Sequence, residues 1–317
     1  MAPRTEFPPI RACLFDMDGL LLDTEDIYTK CINILLSKYG RPPLPWSIKA
    51  RLQGRPGPQS NALFQDWAKL PISNEQYMEE YTALQRQYFP SAKALPGVEE
   101  LLDNLDRTRW WDVSVSEGKA GSDDDGREKN KRVHIALATS SHAGNFALKT
   151  AHLTDLFSVF RGPLRVLGDD QRIQPGRGKP LPDIYLLALQ TVNSALPPGE
   201  PPVRPEECLV FEDSVPGVEA GRRAGMRVIW CPHPKLKEEY AGREGEVLAG
   251  RTGEAGIDVD VEQLGEIDDG WAEYLENLEN FPYERYGIVV PPKDVDADPK
   301  MKETVTEVVG VQVESKA

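Results

Sequence analysis

The sequence predicts an α/β protein, in which helices flank a parallel sheet and a small all-helical domain is inserted after the first strand. Two observations lead to this prediction. Short apolar runs alternate along the chain with segments of helical periodicity, as is typical of parallel sheets. Residues 24–92 interrupt this alternation, because they contain only helical segments. The 317 residues are enough for one large domain or two ordinary ones.

The first strand and the helical block come from the N-terminal third of the chain. The run RACLFD, residues 11–16, predicts a short buried strand. The next segment, TEDIYTKCINILLSKYG, spaces its apolar residues at helical intervals and ends at Gly40. Three more helices are predicted near Trp46, in SNALFQDWAKL and in SNEQYMEEYTALQRQYF, where Ser73 and Gln76 form a capping-box pattern.

Strands and helices alternate through the rest of the chain. The predicted strands are VHIALATSS, LRVLGDD, CLVFEDS and MRVIWCP, and the predicted helices are LPGVEELLDNL, GNFALKTAHLTDLF, PDIYLLALQTV, PGVEAGRRAG and GWAEYLENLENF. The charged residues 113–132 predict a mobile loop, and residues 291–317 predict a disordered tail. Residues 1–23 and 93–290 then form the predicted core domain, and residues 24–92 form the helical domain.

The acidic charge is concentrated at the C-terminal end. The formal net charge is −14, and residues 235–317 hold 9 of the 37 Lys and Arg but 21 of the 51 Asp and Glu. We interpret this region as solvated surface and tail, and the lack of a basic stripe argues against nucleic-acid binding. No apolar run reaches about 18 residues, so we expect no membrane contact. Four cysteines without a CxxC pair and an N-terminus without a secretory signal favour the cytoplasm.

Polar side chains stand at the predicted ends of three strands and in the loop after a fourth. In a parallel sheet the carboxyl ends of the strands meet at one edge, and ligands bind there. The polar residues at this edge are Asp16, Asp18, Thr139, Ser140, Lys179, Glu212 and Asp213. Because they come from separated segments of the chain, we expect them to form one site.

Carboxylates that face an ammonium group suit a hard cation and a phosphate. Mg²⁺ prefers oxygen ligands, for which Asp16 and Asp213 are candidates together with a backbone carbonyl near Asp18. A carboxylate such as Asp16 can also attack phosphorus. A second acid, for which Asp18 is suited, can protonate the leaving group and then deprotonate water. The Lys179 ammonium and the Thr139 hydroxyl would bind the phosphate.

Four motifs give the chain a resemblance to the haloacid dehalogenase (HAD) phosphohydrolases. These motifs are DMDG with Asp16 and Asp18, LATSS with Thr139, GKPLPD with Lys179, and FEDS with Glu212 and Asp213. The resemblance implies a Rossmannoid core and a helical cap of the C1 type. It also implies Mg²⁺ as the cofactor, and the metal residues are then Asp16, Asp18, Asp213 and Glu212. Whether Glu212 binds the metal directly or through water stays open.

The resemblance implies roles for individual residues as well. The catalytic residues are expected to be Asp16, Asp18, Thr139 and Lys179, with Asp16 as the nucleophile. The substrate-binding residues are expected to be Thr139, Ser140, Lys179, Glu25 and Arg55, and the cap residues Thr24 and Tyr28 are further candidates. We expect a structural role for Asp23, where the chain enters the cap, and a satisfied or exposed side chain for His142.

Within the family, the resemblance narrows to pseudouridine-5′-phosphatases and their fungal relatives. The best substrate prediction is pseudouridine 5′-phosphate, and 2-deoxyglucose 6-phosphate and glycerol phosphate are alternatives. A phosphomutase like β-phosphoglucomutase is disfavoured, because Tyr28 stands where such enzymes carry a cap histidine. The intact motifs argue against a third class, a catalytically silent scaffold. We expect a monomer whose partner is a small phosphorylated metabolite.

Overall fold

A computed structural model describes residue 4 and residues 6–108, 132–253 and 265–291. The predicted mobile loop and disordered tail therefore lie outside the described residues, apart from Arg132 and Pro291. None of the helices in these ranges combines the length and the hydropathy that a membrane span requires.

Within these described ranges, six parallel strands form a single sheet in the order β3-β2-β1-β4-β5-β6. The strands are β1 (Ala12–Phe15), β2 (His134–Ala138), β3 (Arg165–Val166), β4 (Cys208–Glu212), β5 (Arg227–Trp230) and β6 (Ala272–Tyr274). Strand β1 lies in the interior of the sheet, and Ala12 is in register with His134 on one side and Cys208 on the other. The predicted parallel α/β fold is thus confirmed.

Helices precede and follow the strands. In the described part of the chain they are α1 (Thr24–Lys38), α2 (Trp46–Leu52), α3 (Gly57–Ala68), α4 (Asn74–Tyr88), α5 (Val98–Thr108), α6 (Ala143–Thr150), α7 (Thr154–Phe157), α8 (Asp183–Ser194), α9 (Val215–Arg223), α10 (Pro234–Glu239) and α11 (Glu244–Ala249). The Ser73 hydroxyl accepts a hydrogen bond from Gln76 N–H, so the predicted cap of α4 is present.

Two apolar layers cover the two faces of the sheet. Ala12 and Leu14 belong to one layer together with residues of α8 and α9, whereas Cys13 and Phe15 belong to the other together with residues of α5. This division follows from the alternation of side chains along a strand. Because both faces are covered, the central strands appear in the sequence as continuous apolar runs.

Helices α1 to α4 pack around an apolar cluster of their own, which includes Leu36, Phe64 and Tyr77. We call residues 24–88 the helical insertion. Its two connections to the rest of the chain run side by side, since Asp23 N–H donates to Lys93 O at 3.0 Å and Lys93 N–H donates to Asp23 Oδ1 at 2.7 Å. The expected structural role of Asp23 agrees with these bonds, and the division into core and cap domains stays a prediction.

Two of the predicted helices differ in the structure. The helix predicted over GWAEYLENLENF is wrong, because Ala272–Tyr274 forms β6 and pairs in parallel with β5. Trp271, Tyr274 and Leu278 have helical spacing, but pairing with the exposed edge of β5 satisfies this backbone instead. The helix predicted over GNFALKTAHLTDLF is divided into α6 and α7.

Candidate active site

The predicted polar residues meet at the carboxyl edge of the sheet. Asp16 follows β1, Thr139 follows β2, and Glu212 and Asp213 stand at the end of β4, and each of the four is at most 5% exposed. Asp16 N–H donates to Phe211 O at 3.0 Å, which continues the pairing between β1 and β4 beyond the end of the strand. The sheet itself therefore positions the backbone of the site.

Lys179 links two of these carboxylates. Its fully buried ammonium forms ion pairs with Asp16 Oδ1 and, at 2.6 Å, with Glu212 Oε1. Burial by itself favours the neutral amine, but the two carboxylates outweigh burial and raise the pKa of Lys179. Lys179 is therefore charged throughout the physiological pH range.

Glu212 is held by several donors besides Lys179. The Tyr185 hydroxyl donates to Oε1 at 2.5 Å, and the Ser214 N–H and hydroxyl donate to Oε2 at 3.3 Å and 3.0 Å. A Cβ at Gly217 would collide with the Glu212 carboxylate, so the first turn of α9 can approach it only with glycine there. These contacts suit a carboxylate that fixes Lys179 in place. The sequence did not predict the parts played by Tyr185 and Ser214.

Three carboxylates are crowded together beside Lys179. Oxygens of Asp16, Glu212 and Asp213 all lie within 4.8 Å of one another. Burial raises the pKa of Asp16 to about 7, against the opposing effect of Lys179 and with the help of the neighbouring carboxylates. Burial, Asp16 and Glu212 raise the pKa of Asp213 well above its usual range. One ammonium cannot neutralise three acids, so this group of acids favours a bound cation.

Gln53, just after α2 in the helical insertion, reaches this acidic group. Its Nε2 donates to Asp213 Oδ2, but its Oε1 is buried and has no hydrogen-bond partner among the described residues. Gly19 has φ +81°, and a Cβ there would collide with Asp213 Oδ2, so the chain passes very close to this carboxylate. A buried unsatisfied oxygen next to an excess of carboxylates fits a hydrated divalent cation. The residues present therefore fit Mg²⁺.

Asp18 lies outside this group of three acids and has a different environment. Its Oδ1 accepts hydrogen bonds from Thr24 Oγ1 at 2.6 Å and Lys149 Nζ at 2.5 Å, and its Oδ2 accepts one from Ser141 Oγ at 2.6 Å. Burial opposes ionisation, but Lys149 and the hydrogen bonds hold the pKa of Asp18 below its usual range. Two adjacent acids, Asp16 and Asp18, thus have pKa values that are shifted in opposite directions.

Thr139 and Ser140 lie at the same edge, with different neighbours. Thr139 is fully buried, and its hydroxyl accepts a hydrogen bond from Ser141 N–H at 3.1 Å. The Ser140 hydroxyl donates to Gly54 O at 3.0 Å, so it contacts the helical insertion. A Cβ at Gly54 would collide with the Ser214 hydroxyl, which shows how closely the insertion approaches the sheet at this point.

The two predicted cap residues differ in burial and in their contacts. Glu25 is buried, forms an ion pair with Lys49 and contributes to the raised pKa of Asp213. Arg55 is only partly buried, and its Nε donates to Arg51 O at 2.8 Å. Glu25 is therefore close to Asp213, and the Arg55 Nε contact joins two residues of the helical insertion.

His142 caps helix α6, because its Nδ1 accepts a hydrogen bond from Asn145 N–H at 3.3 Å. It is therefore a satisfied histidine, as predicted. Several side chains in the site were not predicted from the sequence, and they are Lys49, Gln53, Ser141, Lys149, Tyr185 and Ser214.

The sequence profile of haloacid dehalogenase-like hydrolases matches residues 10–225, which include all the polar residues of the sheet edge. The chain belongs to the haloacid dehalogenase-like hydrolases. Its match to this HAD family confirms the resemblance seen in the four motifs, and with it the prediction that the chain is an enzyme of the HAD phosphatase type.

Individual relatives agree with this assignment. A Saccharomyces cerevisiae protein named as a probable pseudouridine-5′-phosphatase is 37% identical over 88% of this chain and 98% of its own length. The mitochondrial (DL)-glycerol-3-phosphatase 1 of Arabidopsis thaliana is 33% identical over 74% of this chain and 68% of its own length. A conserved HAD-like protein of unknown function from Agrobacterium tumefaciens has the same fold, with a TM-score of 0.55 and 20% identity over 86% of this chain and 96% of that one.

Proposed function

We propose that the protein is a Mg²⁺-dependent phosphomonoester hydrolase that works through an aspartyl-phosphate, and that its substrate is pseudouridine 5′-phosphate. One observation carries the proposal. Asp16 pairs with the Lys179 ammonium and is crowded by the carboxylates of Glu212 and Asp213, while Asp18, two residues later, is bound by donors of its own. Two acids with different environments can take different catalytic roles.

In the first half of the proposed reaction, a carboxylate oxygen of Asp16 attacks the phosphorus of the substrate. The bond between phosphorus and the ester oxygen breaks, and the departing alkoxide takes a proton from Asp18. The Lys179 ammonium and the Thr139 hydroxyl bind phosphoryl oxygens and stabilise their charge. Lys179 also favours the ionised form of Asp16, which is the nucleophilic form.

In the second half, Asp18 takes a proton from water while the water oxygen attacks phosphorus. The bond between Asp16 and phosphorus breaks, and inorganic phosphate leaves. The proton that Asp18 takes from water replaces the one that it gave to the alkoxide, so each turnover consumes one water and returns both aspartates to their starting states. Lys149 and the hydrogen bonds favour the ionised form of Asp18, which is the form that accepts a proton in this step.

Bound Mg²⁺ would neutralise the charge of the carboxylates and the transferring phosphoryl group. We propose that Asp16 and Asp213 hold it with their side chains, together with a backbone carbonyl near Asp18. Gln53 would orient one of its water ligands, because Gln53 Oε1 is buried beside Asp213 and has no hydrogen-bond partner in the described part of the chain. Glu212, which is engaged by Lys179, Tyr185 and Ser214, would act through Lys179 or through water.

The proposed substrate rests on the relatives. The Saccharomyces cerevisiae relative named as a probable pseudouridine-5′-phosphatase aligns over nearly its whole length, which favours a nucleotide-like sugar phosphate. The glycerol-3-phosphatase relative supports glycerol 3-phosphate as the second candidate. The helical insertion contains no histidine, and Tyr28 is bonded to Lys149, which argues against a phosphomutase. We also propose that the protein is a monomer and works in the cytoplasm. Its partner would be a small phosphorylated metabolite, and it would bind neither nucleic acid nor membranes.

A panel of phosphate esters tests this proposal. The purified protein is mixed with pseudouridine 5′-phosphate, glycerol 3-phosphate, 2-deoxyglucose 6-phosphate and a sugar 1-phosphate, and the released phosphate is measured with Mg²⁺ and with EDTA. We expect the highest kcat/KM on pseudouridine 5′-phosphate, loss of activity with EDTA, and recovery with Mg²⁺. Full turnover in EDTA would refute the proposed requirement for Mg²⁺. Conversion of the sugar 1-phosphate to the 6-phosphate without release of phosphate would indicate a mutase.

A further inference from the structure

Lys149 carries a buried ammonium group that the proposed reaction does not use. It lies on α6, and its side chain is 0% exposed. Its Nζ donates to Asp18 Oδ1 at 2.5 Å, to Ser141 Oγ at 2.8 Å and to Tyr28 OH at 2.8 Å. A lysine ammonium has three donors, so these three acceptors account for all of them.

Two aromatic rings complete the environment of this ammonium. The Lys149 Nζ lies 4.6 Å from the centre of the Tyr28 ring and 4.5 Å from that of Phe89. A cation near ring faces is stabilised when it is shielded from water. Moving a fully satisfied buried ammonium would leave donors unpaired, which is costly. Lys149 is therefore a fixed point in the structure.

The orientation of Asp18 follows from this fixed point. A carboxylate has about four acceptor positions on its two oxygens. Thr24 and Lys149 occupy two positions on Oδ1, and Ser141 occupies one on Oδ2. The remaining acceptor position is on Oδ2, so Oδ2 is the oxygen that can exchange a proton with the reacting atoms.

The groups around Asp18 come from both parts of the molecule. Thr24 and Tyr28 belong to α1 of the helical insertion, and Phe89 follows its last helix. Ser141 and Lys149 follow β2 of the sheet. The arrangement around Asp18 is therefore complete only where α1 rests against α6.

We propose that Lys149 is a positioning residue for Asp18, which it orients for proton transfer as long as Tyr28 of the helical insertion rests on it. This inference rests on the proposed function, because it assumes that Asp18 is the acid and base of phosphoester hydrolysis. It adds no new chemical step. Lys149 touches neither substrate nor phosphate and acts through the Asp18 carboxylate.

Lys149→Met tests the proposal, because methionine retains the length of the side chain and removes the charge and the donors. The kcat/KM is measured for pseudouridine 5′-phosphate and glycerol 3-phosphate, whose alkoxides need a proton to leave, and for p-nitrophenyl phosphate, whose nitrophenolate hardly needs one. General acid catalysis contributes about 10²–10⁴-fold, so we expect a loss of about 30-fold or more on the alkyl phosphates and less than about threefold on p-nitrophenyl phosphate. Equal losses on all three substrates, or no loss, would overturn the proposal.

Two more variants exclude a purely structural explanation. Tyr28→Phe removes one acceptor of Lys149 and retains the ring, and we expect the same selectivity between leaving groups with a smaller loss of about three- to tenfold on the alkyl phosphates. Lys30→Met is the matched control. Lys30 lies on α1, as Tyr28 does, and its ammonium lies 3.9 Å from the centre of the Tyr88 ring, but the side chain of Lys30 is exposed. It should leave all three kcat/KM values unchanged.

Asp18→Asn connects the inference to the proposed function. Residues that act as one unit have non-additive effects, so Lys149→Met should cause little further loss in an Asp18→Asn background. Additive losses would show that Lys149 acts independently of Asp18. If Asp18→Asn alone retains the wild-type rate on alkyl phosphates, the proposed function is wrong. If Asp18→Asn is impaired and both Lys149→Met and Tyr28→Phe are not, only the inference about Lys149 is wrong.

Discussion

Replacing Asp16 with asparagine should stabilise the metal-free protein, although it removes the proposed nucleophile. Asp16 is buried beside two other carboxylates, and its pKa is raised from 3.8 to about 7. A carboxyl group whose pKa is higher in the folded state loses its proton at a lower pH in the unfolded chain than in the folded protein. Its cost to stability is therefore absent below about pH 4, grows as the pH rises, and is complete above about pH 7.

The size of this effect follows from the shift in pKa. One pKa unit corresponds to about 1.4 kcal/mol, so the cost of ionising Asp16 in the folded protein is about 4 kcal/mol at pH 8 and about 2 kcal/mol at pH 5. Asparagine has nearly the shape of the protonated acid and does not ionise. We therefore expect Asp16→Asn to be more stable than the wild type in EDTA, with an advantage that grows by about 2 kcal/mol between pH 5 and pH 8.

Urea denaturation in EDTA at both pH values measures this advantage. Asp66→Asn is the matched control, because Asp66 is exposed on α3 and its substitution should change the free energy of unfolding by less than about 0.5 kcal/mol. A less stable Asp16→Asn protein at pH 8, or an advantage that is the same at both pH values, would refute the electrostatic reasoning. Added Mg²⁺ should make the wild type more stable than Asp16→Asn, because only the wild type retains the full set of carboxylates to bind the metal.

Three further substitutions test the supporting structure. Tyr185→Phe leaves Glu212 without one buried donor, and we expect urea denaturation to show a loss of about 1–3 kcal/mol and assays to show a reduced kcat. Gly54→Ala places a Cβ against the Ser214 hydroxyl, at a backbone φ of +74°. Because the helical insertion could then no longer approach the sheet as closely, KM should rise while the far-UV circular dichroism spectrum stays unchanged. An unchanged KM would contradict the close packing. Phe64→Ala opens a cavity in the cluster of the helical insertion and should cost about 3–5 kcal/mol, with faster hydrogen exchange confined to residues 24–88.

The sequence predicted the sheet and its polar edge well, because both depend on local patterns. Buried parallel strands appear as apolar runs, and the residue that follows such a run must lie at the carboxyl edge. Asp16, Thr139 and Asp213 could therefore be assigned to one site before their distances were known. The missing strand β6 has no such run, since Ala272–Tyr274 is three partly buried residues long and is defined by its pairing with β5.

The supporting residues could not be predicted in the same way, because their roles depend on contacts between distant segments. Lys149 approaches Asp18 across 131 positions of sequence, and Gln53 approaches Asp213 across 160. Lys149 did carry one signal. It is a single lysine in the otherwise weakly polar segment GNFALKTAHL, and a lysine on a buried helix face needs a partner. Gln53 carried none, because a glutamine between a helix and a glycine is most simply a surface residue.

Burial favours the protonated form of both Asp16 and Asp18, and the groups around each carboxylate decide the direction in which its pKa is shifted. Asp16 shares the Lys179 ammonium with Glu212, and this lysine does not outweigh burial and the neighbouring carboxylates. Asp18 accepts hydrogen bonds from the Lys149 ammonium and from two hydroxyl groups, which outweigh burial. A bound cation would therefore stabilise the Asp16 carboxylate, whereas Asp18 is held as a carboxylate that can accept a proton.

Detection of a phosphoryl group on Asp16 tests the central claim most directly. The protein is mixed with pseudouridine 5′-phosphate and Mg²⁺, the reaction is stopped with acid within one turnover, and the peptides are analysed by mass spectrometry. We predict a phosphorylated peptide that contains Asp16, whose amount rises and falls within one turnover and which is missing from Asp16→Asn. Release of a full equivalent of inorganic phosphate in the first turnover, without any phosphorylated Asp16 at any time point, would contradict the account.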